Sequence, residues 1–207
     1  MFNRKCKITF ISHGATIYSE ENRICTDNDN YPPLNDAGEE EIEKICEWLK
    51  KRGIQNDKVY SSPSLRSIQS AEMISKVFKK DFEVLDGLTS RKCGTWSGLT
   101  YDDIEEKYPQ MLNQMHENPC SFQPEGGEAI ADFDKRISKI IKKIVDENSG
   151  NRIIIVTHPD IIQAAISSAI KLPTQHQGKV YVKTGSATQI SYFESWASLV
   201  YSGCVPL

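Results

Sequence analysis

The sequence predicts a layered α/β domain built on a mostly parallel sheet. Short β-rich segments alternate with amphipathic helical ones along the chain, as parallel strands joined by crossover helices require. Arg152-Ile153-Ile154-Ile155-Val156-Thr157 is a continuous apolar run, suited to a central strand covered on both faces. A length of 207 residues, 39% hydrophobic and 26% charged, fits one domain over 1–207. Such a chain buries enough apolar surface to fold without disulfides or a structural metal.

The elements follow in order. Lys7 to Ser12 reads as the first strand. Tyr18 to Leu34 is polar, contains Pro32-Pro33 and reads as a loop. Asn35 to Arg52 is a helix, with Ile42, Ile45, Cys46 and Leu49 on one face. Asn35 can cap it, Glu39 to Glu41 read as its solvated acidic start, and Gly53 can stop it. Lys58 to Ser61 is a second strand, and Ser62-Pro63 is expected to open the next helix, since proline suits a first turn. Asp81 to Leu85 reads as a third strand. Asp86 to Gly127 is expected to be irregular around a short helix near Tyr101 to Tyr108. The long helix Ile130 to Glu147 carries Ile130, Phe133, Ile137, Ile140, Ile141 and Ile144 along one stripe. Beyond the apolar strand, Asp160 to Ile170 is a helix, and Ala187 to Phe193 is expected as the final strand.

A net charge of only -3 gives no general attraction to nucleic acid or acidic membranes. The six cysteines form no CxxC pair and no cluster with histidine, which argues against zinc and for reduced thiols in a cytoplasmic setting. No apolar run approaches membrane-spanning length, and the N-terminus lacks a signal-peptide core. Neither GxGxxG nor GxxxxGK[ST] occurs, and no GxSxG elbow supports a serine hydrolase.

Three residues stand out by position. His13 follows the first strand, Arg66 lies in the first helical turn after the second, and His158 follows the apolar strand. Ligands of open α/β sheets gather outside the carboxyl ends of the strands. Singly, such a histidine is more often a loop residue and such an arginine a surface ion-pair residue; together at equivalent strand ends they point to an anion site. Arginine presents a planar fork matched to phosphate, and free N–H groups at a helix start add attraction. His116 and His176 sit in polar stretches and read as surface residues. Trp48, Trp96 and Trp196 read as packing residues, with Trp96 in a Gly-rich loop near the expected pocket.

Several stretches resemble the histidine phosphatase (phosphoglycerate mutase-like) superfamily, branch 1. Phe10 to Thr16 resembles its Arg-His-Gly signature, and Pro33 to Gly38 its PLTxxG. Ser61 to Ala71 looks like SSPxxRxxQTA, Gly94 to Gly98 is similar to GxWEG, Pro124 to Glu128 to PGGES, and Val156-Thr157-His158 to the second-histidine motif. The resemblance spans about residues 7 to 195 and implies a three-layer α/β/α sandwich. It implies a phosphohistidine intermediate on His13, phosphate held by Arg66 and His158 with Ser12 and Thr16 beside them, and no metal or other cofactor. Such phosphoryl transfer asks mainly for in-line positioning and fixed positive charge.

The departures from the pattern concern function. The usual arginine before the nucleophile is Ser12, and the usual acid, four residues before Gly94, is Ser90. The glutamate of GxWEG is Ser97, and the glycine after the second histidine is Pro159, which has no N–H. Asp160 and Glu128 are the candidate replacement acids, with Asp86 a further carboxylate; Arg91 or Lys92 could restore positive charge. The expected activity is a slow phosphatase acting on phosphomonoesters or phosphohistidine, its ligand a phosphorylated small molecule or phosphoprotein. The alternative is a catalytically impaired module that binds a phospholigand. A homodimer is the assembly to consider, and mutase chemistry would need a richer set of cations.

Overall fold

The computed structural model describes residues 4–24 and 32–206. Met1 to Asn3, Cys25 and the middle of the expected Tyr18–Leu34 loop lie outside them. The chain order is β1 (Arg4–Ser12), α1 (Ile17–Glu20), α2 (Asp36–Lys51), β2 (Lys58–Ser61), α3 (Leu65–Phe78) and β3 (Phe82–Val84). Then come α4 (Tyr101–Lys107), α5 (Pro109–Glu117), α6 (Ile130–Glu147), β4 (Arg152–Thr157), α7 (Pro159–Ile170), β5 (Ala187–Phe193) and β6 (Ala197–Cys204).

The strands form one sheet in the order β3-β2-β4-β1-β5-β6. β1, β2, β3 and β4 pair in parallel, β5 runs antiparallel to β1, and β6 runs antiparallel to β5. The apolar run of β4 sits at the centre, as its composition requires. Ile153 and Ile155 join the core under α6 and α7, while Ile154 and Val156 join the core under α2 and α3. Alternation along one strand thus supplies both faces, and the molecule is three layers. A third, smaller core of Cys93, Trp96, Ile104 and Phe122 lies under α4 and α5 and forms a cap beyond the strand ends. No helix among the described residues is long and apolar enough to cross a membrane.

Local chemistry explains most element ends. Asn35 caps α2, its side chain accepting from the Gly38 N–H at 2.9 Å, and Gly53 turns the chain away at φ +59°. Pro63, by contrast, lies outside α3, because Ser64 takes the extended cap position and the helix starts at Leu65. Thr16 and Ser19 cap each other to make the single turn of α1 inside the expected loop. The Asp86–Gly127 stretch also holds more helix than expected. Pro109 opens α5, whose Met111, Leu112 and Met115 pack on the cap core. Ala187 to Phe193 is not the last strand either: β6 follows it as a half-exposed edge with a Gly203 turn residue inside.

Glycine sets one critical approach. The first turn of α2 packs on the loop after β1 so closely that a Cβ on Gly38 would stand 2.1 Å from the Ala15 carbonyl oxygen. A Cβ on Gly14 would stand 2.2 Å from the Gly38 oxygen. Gly38→Ala is therefore expected to destabilise the fold by about 1–3 kcal/mol, as overpacking of rigid backbone does. Gly178→Ala, with open space around it, should change stability by less than about 0.5 kcal/mol. Urea unfolding of both variants checks this.

Candidate active site

The sheet register brings the three positions together. Ser12 pairs with Thr157 and Ser61 with Val156, so His13, Ser62 and His158 leave the same sheet edge side by side. The His13 N–H donates to the Thr157 carbonyl at 2.9 Å, and the Ser62 N–H donates to that of Val156 at 3.0 Å. Arg66, in the first turn of α3, reaches across this edge. It is 1% exposed, and His13 and His158 are 5% and 2% exposed.

The hydrogen bonds decide the tautomers. His13 Nδ1 lies 2.8 Å from the Gly14 carbonyl oxygen, which can only accept, so Nδ1 carries the proton. The Nε2 lone pair is left facing Arg66, whose Nε–H donates to it at 3.3 Å. Arg66 Nη2 donates to His158 Nδ1 at 3.2 Å. In a neutral ring the proton of His158 is then on Nε2, which donates to Ser62 Oγ at 2.7 Å, with Ser64 Oγ at 3.3 Å. Burial, and then the Arg66 charge, press the pKa of His13 down to about 3, against the Gly14 hydrogen bond. Burial, Arg66 and His13 hold His158 well below the usual imidazole range. Both rings are neutral at ordinary pH, and His13 presents an unprotonated nitrogen beside a buried guanidinium.

Supporting groups hold this geometry. Ser70 Oγ accepts from the Gly14 N–H at 3.3 Å and donates to the Arg66 carbonyl at 2.8 Å. Gln69 accepts from the Leu34 N–H at 2.9 Å. Glu41, expected in a solvated run, turns inward: its carboxylate accepts from the Ala15 N–H at 2.9 Å and pairs with Lys183 at 3.6 Å. Within the acidic run, only the i+3 phase of α2 could have signalled this role.

The three residues lie at the bottom of a cavity of about 680 Å³ that also takes in Ser90, Arg91, Pro159 and Asp160. Asp160 stands beside the position where the family's acid is expected. Its Oδ2 accepts from Ser90 Oγ at 2.7 Å and from the Arg91 N–H at 2.7 Å, and its Oδ1 from its neighbour Ile161 at 2.8 Å. Glu128 lies elsewhere, paired twice with Arg136 at 3.0 and 2.8 Å, and with Asp86 and Lys92 lines a different surface cleft. Among the described residues, no group of three or more His, Cys, Asp or Glu side chains is placed to hold a metal ion.

Comparison with known proteins gives the family. A model of the histidine phosphatase superfamily (branch 1) matches residues 8–203. The chain belongs to that superfamily. Phosphoglycerate mutase-like protein 4 of Arabidopsis thaliana is 30% identical over 79% of this chain and 70% of its own length. Phosphoserine phosphatase 1 of Hydrogenobacter thermophilus is 26% identical over 61% of this chain, which spans 59% of that protein. The crystal structure of the alpha-ribazole phosphatase of Shigella flexneri shares the fold, with a TM-score of 0.84, 18% identity and 96% of each chain covered.

Within this member of the superfamily the remaining candidate positions separate. Ser12 is fully buried, and its Oγ has no hydrogen-bond partner among the described residues. Thr16 is buried and spends its hydroxyl on the cap of α1 rather than on the cavity. Trp96 is buried against Phe122 in the cap core, at 5.0 Å between ring centroids. Trp48 packs edge-on to Tyr201, and Trp196 stacks on Phe193 while 44% exposed. His176 sits half-buried in a turn, whereas exposed His116 lies at the cavity wall, brought there by the unforeseen α5.

The depressed pKa of His13 fixes a sign. At His13 the unfolded chain binds more protons between about pH 6.5 and about 3, so this residue's contribution to stability falls as pH drops through that window and is flat above it. Nitrogen-15 NMR should show His13 as the Nδ1–H tautomer and still neutral at pH 5. An imidazolium at pH 6 would contradict the geometry.

Proposed function

We propose that the chain is a single-domain, metal-independent phosphomonoester phosphatase acting through phosphohistidine on His13. One observation carries the reading: the His13 Nε2 lone pair, freed by the Nδ1–Gly14 hydrogen bond, faces the Arg66 guanidinium at the floor of the cavity. A phosphate seated there takes over the two Arg66 donors now resting on the imidazoles, and each charge-assisted bond contributes about 1.5–3 kcal/mol. Nε2 attacks phosphorus as the bond to the leaving oxygen breaks, and Arg66 and His158 stabilise the transferring phosphoryl group. Water then attacks phosphorus, the P–N bond breaks, and His13 and free phosphate are regenerated. The two steps replace one difficult displacement.

Asp160 takes the place of the missing acid. Ser90 stands where the family's carboxylate would, and its hydroxyl is hydrogen-bonded to Asp160. The Asp160 carboxyl, in its protonated form, gives its proton to the leaving oxygen and recovers one from the water that attacks the phosphohistidine. The kinship with a phosphoserine phosphatase supports a small phosphomonoester as substrate; phosphohistidine in a phosphoprotein is the other substrate compatible with the chemistry.

A second reading, a phospholigand-binding module, is favoured by Ser12, where one buried hydroxyl replaces the family's arginine fork. Steady-state kinetics separate the two. The wild type should hydrolyse both 4-nitrophenyl phosphate and an alkyl phosphate, and His13→Ala neither. Asp160→Asn should lower the alkyl rate by about 10²–10⁴ while changing the nitrophenyl rate less than about tenfold, since nitrophenolate leaves without a proton. Equal losses on both would remove Asp160 from the acid role. Phosphate binding without any turnover would make the module the better description.

A further inference from the structure

Inorganic phosphate fills only the floor of the cavity, and the rest has a definite chemical character. Its volume, about 680 Å³, falls in the roughly 300–1,000 Å³ range of pockets that enclose drug-sized ligands. Above the His13–Arg66–His158 floor, Ile24, Tyr101, Met115, Pro119, Ile130 and Phe133 line it from the cap and from the first turns of α6. Besides exposed Gln175, the facing wall carries polar side chains that are spent within the protein. Gln163 donates to the Val180 carbonyl at 2.6 Å, Thr174 donates to Asp134 at 2.7 Å, and the Gln177 amide donates to the same carboxylate at 2.7 and 3.0 Å. Beyond the floor, the cationic side chain that can meet the cavity is Arg91, held on the Glu128 carbonyl at 3.1 Å, with exposed His116 at the wall. That is too little positive charge to hold a second phosphate.

We infer that the cap and the start of α6 form a chamber for the leaving group, and that the substrate is a phosphomonoester of an aromatic or branched apolar alcohol, with Met115 and Tyr101 setting that specificity. The inference rests on the phosphatase reading for the floor, but concerns the upper cavity. For aryl esters it also fits the departure at Ser90, because an aryl oxide needs less help from a proton than an alkoxide does.

Binding of phosphonates, which cannot be hydrolysed, tests the chamber apart from the chemistry. By calorimetry, (1-naphthylmethyl)phosphonate should bind on the order of 100-fold more tightly than methylphosphonate, the difference expected from burying two fused rings. Met115→Asp should narrow that ratio to less than about tenfold. Tyr101→Ser, at a position 61% exposed where substitution spares the fold, should narrow it several-fold. Equal affinity for the two phosphonates, or a ratio untouched by both variants, would overturn the inference. Tighter binding of 2-amino-3-phosphonopropionate than of the naphthyl compound would overturn it too, in favour of a small zwitterionic substrate. Turnover of 1-naphthyl phosphate is read separately. Selective binding without turnover leaves the chamber standing and defeats the phosphatase reading; equal turnover of 1-naphthyl and glycerol phosphates with equal binding does the reverse.

Discussion

The site depends on one interaction: a buried guanidinium held between two neutral imidazoles. Arg66 donates through Nε to His13 and through Nη2 to His158, at 3.3 and 3.2 Å. Taking such a charge out of water is costly, and the two lone pairs return part of that cost. Burial first, and then this charge, keep either ring from protonating, so that His13 Nε2 retains its lone pair. A phosphate dianion is the ligand that relieves this arrangement most directly, because it supplies the negative charge that the fork lacks when it rests on imidazoles. In the proposed phosphatase, affinity for phosphate and nucleophilicity of His13 both draw on this buried charge.

Much of the remaining structure serves to hold that charge in register. The parallel pairing of β1, β4 and β2 sets the histidines next to each other, and α3 brings Arg66 over them. Gly14 and Gly38 let α2 lie directly against the His13 loop, and Glu41 ties that loop to the segment before β5 through Lys183. A similar lock closes the other side. Gly94 adopts φ +52° and lies against Glu125 to Gly127, where any Cβ would meet the Glu125 oxygen at 2.0 Å. The stretches that resemble family motifs are thus the surfaces that dock on one another around the cavity.

The sheet, its central strand and the three convergent residues were legible because each rests on local signals. Periodicity gives a strand or helix, and the end of a parallel strand gives the site. What escaped was set by tertiary contact. α5 is polar along most of its length and is helical because Met111, Leu112 and Met115 bury against the cap. β6 is an edge strand whose half-exposed residues carry a weak alternation. Thr16 has the right residue type beside His13, yet its hydroxyl is consumed by a helix cap. Glu128 and Asp160 looked alike as spare carboxylates; only the fold shows that Arg136 engages the first while the second opens on the cavity.

The account stands on His13 Nε2 forming a bond to phosphorus. Rapid quenching into alkali during turnover of radiolabelled phenyl phosphate tests this directly, because phosphohistidine is stable in base and labile in acid. Base-stable, acid-labile label is expected on His13 and absent from His13→Ala. Turnover with no trapped label at any quench time, or with acid-stable label on a hydroxyl residue, would contradict it.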